Sequence, residues 1–119
     1  MLNKALFIGR LTNDPKAGQG NTSYAFICIA CNYKYKDKEG NMHEAAEYIN
    51  ISCFGKLADF VSQYLHKGDL LYVECKVKSQ NINQNGIKMT KVELHAEKLR
   101  ILSSPRVANT MNEESDLPE

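Results

Sequence analysis

The feature that most constrains the fold of this chain is a change of hydrophobic period near its middle. Residues 47–54 (EYINISCF) alternate, so that Ile49, Ile51 and Cys53 point to one side of a strand and larger polar and aromatic side chains point to the other. Apolar residues then recur at helical spacing, and residues 70–78 alternate again. This order contains no repeated strand, helix and strand unit of the kind that builds a parallel sheet.

The helical segment carries an apolar stripe, and we assign Tyr64 to the core because it belongs to this stripe. Its members lie at the i, i+3, i+4, i+7 and i+8 positions of a helix. They are Leu57, Phe60, Val61, Tyr64 and Leu65. We expect Lys67 and Gly68 to end this helix, because glycine suits the left-handed conformation of a C-terminal cap.

Three further segments have strand character. Residues 3–11 alternate imperfectly and lead into a turn and a glycine-rich loop, residues 23–35 are rich in β-branched, aromatic and small side chains, and a last strand reaches about residue 101. Polar loops are predicted at 36–44 and 79–86. The predicted fold class is all-β with one helix: a partly open, five-stranded OB-fold barrel with the helix between strands 3 and 4.

Charge divides the chain into a basic body and an acidic end. All 15 Lys and Arg residues lie at or before Arg106, whereas four of the 14 acidic residues follow it. Residues 1–106 therefore have a net charge of +5, which suggests a polyanionic partner. We expect one domain over 1–103 and a disordered acidic tail over 104–119. The acidic residues of that tail are Glu113, Glu114, Asp116 and Glu119.

The N-terminus and the cysteines favour a cytoplasmic protein with no membrane association. The consecutive apolar residues from Ala5 to Ile8 are far too few for a signal-peptide core or a membrane span. The cysteines lie in apolar, strand-like segments, where a free cysteine behaves as a small buried hydrophobic residue, so disulfides are not required. They are Cys28, Cys31, Cys53 and Cys75.

Motifs for catalysis or metal binding are weak. Cys28 and Cys31 have C-x-x-C spacing, but on an extended strand they point to opposite faces, and no second pair completes a zinc site. The HEAAE segment that begins at His43 lacks the final histidine of a metalloprotease motif and is not helical. Gly55 and Lys56 lack the rest of a phosphate-binding loop. We therefore expect no catalytic residue, no cofactor and no metal.

Two aromatic residues fall on a strand face that should meet solvent. Tyr48 and Phe54 lie on the polar face of their strand, beside Asn50 and Ser52. A large aromatic side chain in that position indicates a binding partner or an interface. The alternative is that both rings pack under a loop.

A second aromatic group alternates with lysines. Tyr33 and Tyr35 alternate with Lys34 and Lys36, an arrangement that suits base stacking together with phosphate contact. The alternative for these residues is an ordinary hairpin tip. For the cations, the alternative to phosphate contact is a solvated surface charge. Besides Lys36, the predicted phosphate contacts are Lys4, Arg10, Lys56, Lys76, Lys78 and Lys88.

Several segments, in this order, resemble the bacterial single-stranded DNA-binding protein family. NKALFIGRLTNDP is similar to its first strand and turn, AEYINISCF to its third strand, and FGKLADFVSQYLHKGDLLYVE to its helix and fourth strand. The resemblance implies binding of single-stranded DNA without strong sequence preference, during replication, recombination or repair. It implies that bases stack at Tyr35, Tyr48 and Phe54. It also matches a tryptophan position to Ile82, which cannot stack.

The resemblance further implies a homotetramer and an acidic C-terminal tip that docks partner proteins. In the family this tip ends in phenylalanine, whereas the present sequence ends in Glu119, so we expect weak docking or none. Two alternatives stay open. One is a module like primosomal replication protein N, suggested by the segment KVELHAEKLRIL, and the other is an OB domain that binds protein through Tyr48 and Phe54. Binding that weakens steeply with salt would favour DNA.

Overall fold

A computed structural model describes residues 1–18 and 23–105 of the chain. In chain order its elements are β1 (Ala5–Leu11), β2 (Lys16–Ala17), β3 (Tyr24–Lys36), β4 (Met42–Phe54), α1 (Lys56–Tyr64), β5 (Leu70–Gln84) and β6 (Ile87–Ser103). The five predicted strands and the helix are confirmed. The two-residue strand β2 lies within the segment predicted as a loop, so the helix stands between β4 and β5 in this numbering rather than between the third and fourth strands.

The long strands close into a barrel. Their order in the sheet is β1-β5-β6-β4-β3, and β3 pairs in turn with β1. Closure depends on two short junctions: β1 meets β3 only through Arg10 and Leu11, and β4 meets β6 in parallel through Ser52 and His95. The remaining neighbours are joined by extended antiparallel ladders. The predicted all-β barrel with one helix is therefore confirmed.

The barrel is filled by side chains from alternate positions of its strands. On β4, Ile51 and Cys53 are buried while Tyr48 and Phe54 are exposed, as the alternation predicted. Burying an aliphatic side chain of this size stabilises the fold by about 1.5–3 kcal/mol, so the apolar set fixes which face of each strand turns inward. The buried core consists of Leu11, Ala25, Ile27, Ile29, Ile51, Cys53, Ala58, Val61, Leu65, Leu71, Val73 and Cys75.

β1 can cross close to β3 because Gly9 has no side chain. A Cβ atom at Gly9 would lie 2.8 Å from the carbonyl oxygen of Ala30 and 3.1 Å from Sγ of Cys31. The first of these neighbours is backbone, which cannot turn aside as the end of a flexible side chain can. Glycine at this position therefore permits the junction that closes the barrel.

The helix covers one end of the barrel with only part of its apolar stripe. Ala58, Val61 and Leu65 are buried. Phe60 and Tyr64 contact each other instead, with ring centroids 5.1 Å apart, and Tyr64 is 52% exposed. The assignment of Tyr64 to the core is thus wrong, because one side of a nine-residue helix suffices to cover the barrel end and this ring lies outside the covered area.

The helix also ends earlier than predicted. Leu65 is already extended, with φ −93° and ψ 141°, so Gly68 does not cap the helix. Gly68 has φ +94° and belongs to the turn before β5, where its N–H donates to the carbonyl of Leu11 at 2.8 Å. In the same turn, Oδ2 of the buried Asp69 accepts the backbone N–H of His66 at 2.9 Å. The turn therefore links the end of β1 to the start of β5 through backbone hydrogen bonding.

Two long hairpins, β3–β4 and β5–β6, extend beyond the barrel. The loops predicted over 36–44 and 79–86 are wrong, since only 37–41 and 85–86 lie between the strands. Asn85 and Gly86 both have positive φ, at 55° and 79°, which matches a two-residue hairpin turn. The outer parts of these strands are held by cross-strand pairing rather than by burial, so they have no alternating apolar pattern.

The described chain continues past the last strand to Pro105. Ser104 is buried, and Pro105 lies close to Gly68. The rest of the predicted acidic tail, residues 106–119, lies outside the described residues. Within 1–18 and 23–105, no helix has the length and apolar character needed to cross a bilayer.

Candidate nucleic-acid interface

An outer aromatic face, formed by Tyr24, Phe26, Tyr48 and Phe54, runs along β3 and β4. Residues opposite each other in an antiparallel pair point to the same side, and here Phe54 lies opposite Tyr24 while Ser52 lies opposite Phe26. Phe26 is 47% exposed, Phe54 46% and Tyr48 67%. The rings of Tyr24 and Phe26 meet edge to face, with centroids 5.5 Å apart. Along β4, about 20 Å separates Tyr48 from Phe54.

His95 extends the outer aromatic face onto β6. Its ring centroid lies 4.9 Å from that of Phe54, and its Nε2 lies 3.1 Å from Oε2 of Glu93. The hydrogen bond from His95, together with one from Lys91, lowers the pKa of the Glu93 carboxyl group. Glu93 is therefore ionised at neutral pH, and its contact with His95 orients the imidazole beside Phe54.

One row of paired residues crosses this face on five neighbouring strands. Successive pairings link, in order, Lys76 on β5, His95 on β6, Ser52 on β4, Phe26 on β3 and Lys16 on β2. At about 4.8 Å between strands, the row spans about 19 Å. It has a cation at each end and aromatic rings between them, which is the combination that single-stranded nucleic acid requires.

Tyr33 and Tyr35 lie on the opposite face of the β3–β4 hairpin. Tyr35 is paired with His43, and the two rings stack with centroids 5.3 Å apart and 25° between their planes. Tyr33 lies 6.1 Å from Tyr35 and donates its hydroxyl to Oε1 of Glu47 at 3.2 Å. This hydrogen bond raises the pKa of the Tyr33 phenol. Tyr33, Tyr35 and His43 thus form a hairpin stack that is separate from the outer aromatic face.

Asp37 holds the hairpin stack to the hairpin turn. Its Oδ2 lies 2.7 Å from Nε2 of His43, and its Oδ1 accepts the backbone N–H groups of Glu39 and Asn41, each at 2.9 Å. The hydrogen bond from His43, followed by those from the backbone, lowers the pKa of Asp37. Lys36 is exposed directly before this turn.

Two of the predicted phosphate contacts are engaged within the protein. Nζ of Lys4 lies 3.0 Å from Oε1 of Glu74, which raises the pKa of the lysine through a hydrogen bond and charge attraction. Arg10 donates from Nη1 to the carbonyl of Gly68 at 3.1 Å. Both cations remain accessible to solvent, but each already has a partner.

The other predicted cations are exposed but do not share one face. Lys76 and Lys78 lie on the outer side of β5, and Lys56 begins α1 just after Phe54. Lys88 is opposite Asn83, which places it on the other side of the β5–β6 hairpin. Ile82, at the position matched to tryptophan, is half-buried and paired with Met89.

A cleft of about 490 Å³ opens on the outer side of the barrel. Its floor lies between Tyr48 and Phe54 along β4, and its wall comes from the segment that joins β1 to β2 and from the first residue of β2. Its outward-facing floor residues are Phe26, Cys28, Asn50 and Ser52, and its wall residues are Asn13, Asp14 and Lys16. We refer to it as the Phe26 cleft.

Within the described residues, no group of three or more His, Cys, Asp and Glu side chains is arranged to hold a metal ion. All four cysteines are free. Burial raises the pKa of Cys53 to about 12 and that of Cys75 to about 11, so both remain protonated at neutral pH. The segment around His43 forms part of β4, where the helical spacing of a metalloprotease motif is absent.

The model of the Single-strand binding protein family matches residues 2–102. The chain belongs to this family. The match includes every strand of the barrel except the last residue of β6, and therefore the outer aromatic face, the hairpin stack and the Phe26 cleft.

Curated relatives agree with the single-strand binding family. Over 118 residues the chain is 31% identical to the "Single-stranded DNA-binding protein" of Aquifex aeolicus, covering 98% of this chain and 80% of the relative. Over 86 residues it is 36% identical to "Single-stranded DNA-binding protein 1" of Chlorobaculum tepidum, covering 71% of this chain and 53% of the relative.

Solved structures share the fold. A Plasmodium falciparum SSB, in complex with single-stranded DNA, superposes with a TM-score of 0.74 at 22% identity, covering 87% of this chain and 96% of the other. The wild-type single-stranded DNA binding protein of Thermus aquaticus superposes with a TM-score of 0.72 at 24% identity, covering 88% of this chain and 52% of the other. The OB-fold barrel predicted from the sequence is thus the fold of the single-strand binding family.

Sequence reasoning missed part of the surface of this single-strand binding family member. Phe26 alternates with the buried Ala25 and Ile27 on β3, so its outward direction could have been read from the strand pattern. Lys16 and His95 carry no such indication: Lys16 joins the row through a two-residue strand that has no recognisable pattern, and His95 joins it through pairing between β4 and β6, which are distant in sequence.

Proposed function

We propose that this chain binds single-stranded DNA along its outer aromatic face, without strong sequence preference and without catalysing a reaction. The observation that carries the proposal is the five-strand row in which the rings of Phe26 and His95 lie between Lys76 and Lys16. Membership of the single-strand binding family supports it. Every base offers a flat π face, so stacking at about 1–3 kcal/mol per base is tolerant of sequence.

The proposed contacts fall into three groups. Tyr48 and Phe54 stack bases on the outer aromatic face, and Tyr33 and Tyr35 offer a second platform on the hairpin stack. Phosphates lie against the exposed cations of β3, α1 and the β5–β6 hairpin, because charge attraction at these positions needs no sequence information. These cations are Lys36, Lys56, Lys76, Lys78 and Lys88. Lys4 and Arg10 join them where DNA displaces their present partners.

We also propose that the protein is a homo-oligomer, and specifically a tetramer. Within the described residues, β1 pairs with β3 only at its end, so the edge from Ala5 to Gly9 has no partner strand on that side. Leu6 and Ile8, on the outer side of the same strand, are each 58% exposed. An open strand edge beside exposed apolar side chains favours pairing with a second copy.

The setting that we propose is the cytoplasm, where single-stranded DNA arises during replication, recombination and repair. Four free cysteines are consistent with a reducing compartment. A protein-binding OB domain remains the second candidate, since the outer aromatic face could also accept an apolar protein surface.

Fluorescence anisotropy with labelled oligonucleotides tests this proposal. We expect a single strand to bind more tightly than a duplex of the same length, with affinity that falls steeply as salt rises because counterions are released from the phosphates. Equal affinity for duplex, or no binding at low salt, would contradict DNA binding. Salt-independent capture of a protein by the same surface would favour the second candidate.

A further inference from the structure

We propose that the Phe26 cleft binds one nucleobase of the single strand, and that this position of the strand prefers a base with an exocyclic amino group over thymine. The inference rests on the proposed binding of single-stranded DNA. It adds base readout, confined to one position on each protomer, to an interface that otherwise relies on stacking and charge.

The position of the cleft favours a base as its occupant. Along β4 the cleft floor lies between Tyr48 and Phe54, so a strand that stacks on both rings passes over it. Its volume of about 490 Å³ lies within the range of about 300–1,000 Å³ that is typical of small-molecule clefts. The half-exposed ring of Phe26 and the thiol of Cys28 supply an apolar surface for the face of the base.

The polar groups of the cleft suit the edge of a base. Asn50 and Ser52 lie on the outer side of β4, and within the described residues neither side chain makes a hydrogen bond. Asn13 donates one amide hydrogen to Oγ1 of Thr12 at 3.3 Å, which leaves its second amide hydrogen and its oxygen for a ligand. Donors and acceptors at both walls can therefore meet the hydrogen-bonding edge of a base that lies between them.

Asp14 is the residue that gives the cleft its preference for a base with an exocyclic amino group. Its Oδ1 accepts the backbone N–H of Lys67 at 2.8 Å, which fixes the carboxylate while Oδ2 retains acceptor capacity. A carboxylate only accepts hydrogen bonds, so it favours the amino groups of cytosine, adenine and guanine. Thymine offers one donor, its N3–H, which lies between two carbonyl oxygens that the carboxylate repels. Lys16 at the rim provides the cation for the adjoining phosphate.

The first experiment measures the affinities of dC and dT homopolymers of equal length by anisotropy. Wild-type protein should prefer dC, and Asp14→Asn should lower the ratio of the dT to the dC dissociation constant by about fivefold, because the amide can also donate to a thymine carbonyl. The substitution keeps an oxygen that can accept the Lys67 N–H. The matched control is Asp59→Asn, which removes the same charge from the exposed side of α1 and should leave the ratio unchanged.

The second experiment uses Cys28 as a probe within the cleft. Alkylation by iodoacetamide, followed by peptide mass spectrometry, measures its labelling rate with and without bound dC oligonucleotide. We expect the oligonucleotide to slow the labelling of Cys28 severalfold. Cys31, three residues later and close to Gly9 on the other side of β3, is the internal control and should label at the same rate in both samples.

The outcomes separate this inference from the proposed function. If wild-type protein bound neither the dC nor the dT homopolymer, the proposed function and this inference would both be overturned. Binding without protection of Cys28, or an Asp14→Asn ratio equal to that of wild type, would overturn base readout in the cleft while leaving single-strand binding intact. Base readout would also be overturned if Asp59→Asn changed the ratio of the dT to the dC dissociation constant as much as Asp14→Asn did. Overall charge would then explain the effect.

Discussion

At the scale of single residues, the proposed binding platforms of this protein consist of tyrosine, phenylalanine and histidine rings, because the chain contains no tryptophan. Smaller rings offer less stacking area, and two of them are paired with imidazoles: Phe54 with His95 and Tyr35 with His43. Pairing fixes the orientation of each ring before DNA arrives. Less conformational freedom is then lost on binding, which partly offsets the smaller area.

Replacing Phe54 with alanine tests the outer aromatic face. We expect Phe54→Ala to weaken single-strand binding by about 1–3 kcal/mol, because one base loses its stacking partner. Phe60→Ala is the matched control, since Phe60 is also exposed but lies on α1, away from the face. Anisotropy gives the affinities, and circular dichroism verifies the fold. Equal affinities for the two variants would remove Phe54 from the interface.

Gly9 is the residue at which we expect the barrel to be least tolerant of added volume. Gly9→Ala should lower the free energy of unfolding by about 1–3 kcal/mol, because the new Cβ would clash with the carbonyl of Ala30. Urea denaturation followed by circular dichroism measures the change. Gly40→Asn is the control: no atom lies within 4 Å of its Cβ position, and asparagine tolerates the positive φ. If the Gly9→Ala protein were as stable as wild type, β1 and β3 would be able to move apart without lowering the free energy of unfolding.

The sequence predicted the direction of individual side chains well where a strand buries one face. On β4, alternation was sufficient to place Tyr48 and Phe54 outside the core. It failed for Tyr64, because a short helix leaves some positions of an apolar stripe beyond the surface that it covers. His95 was not predicted, because its contact with Phe54 joins strands that are distant in sequence.

At the scale of elements, the hairpins extend farther than their sequence indicates. The outer part of β5 carries Asn81 and Asn83, and asparagine is depleted in strands. Backbone pairing nevertheless continues to the Asn85–Gly86 turn, whose left-handed conformation matches the twist of the strands. A sequence pattern based on burial cannot detect a strand that has no buried face.

The β3–β4 turn should loosen at low pH. Hydrogen bonding lowers the pKa of Asp37 below its ordinary value of 3.8, so its stabilising contribution is complete above that value and is lost as the pH falls through the lowered pKa. Hydrogen-exchange protection of the Glu39 and Asn41 amides, which donate to Asp37, measures this loss. Asp37→Ala should abolish that protection at neutral pH, whereas Asp59→Ala on α1 should not. Full protection in Asp37→Ala would contradict the assignment.

At the scale of the whole molecule, the order of strands and helix was predictable, but the way in which the barrel closes was not. The change of period identified three of the elements, and their number and order favoured an OB-fold barrel. The junctions at Arg10 and Ser52 involve single residues or pairs of residues, and no local pattern encodes them. They determine how the outer aromatic face crosses from strand to strand.

Self-association through β1 should depend on its exposed apolar side chains. We expect Leu6→Lys to lower the molar mass measured by light scattering, because a charge replaces an apolar contact beside the open strand edge. Tyr64→Lys, at a similarly exposed position on α1, is the control and should retain the wild-type mass. An unchanged mass for Leu6→Lys would exclude this strand as the site of association.

The pairing of β1 with β5 also has a consequence for the time at which the fold can form. Ala5 pairs with Cys75, so β1 lacks its main partner until β5 has been synthesised. The β3–β4 and β5–β6 hairpins, by contrast, join neighbouring segments and can form as they emerge. The nascent chain therefore carries the unpaired edge and the apolar side chains of β1 until β5 emerges. Crowded nascent chains are then most prone to aggregate through β1.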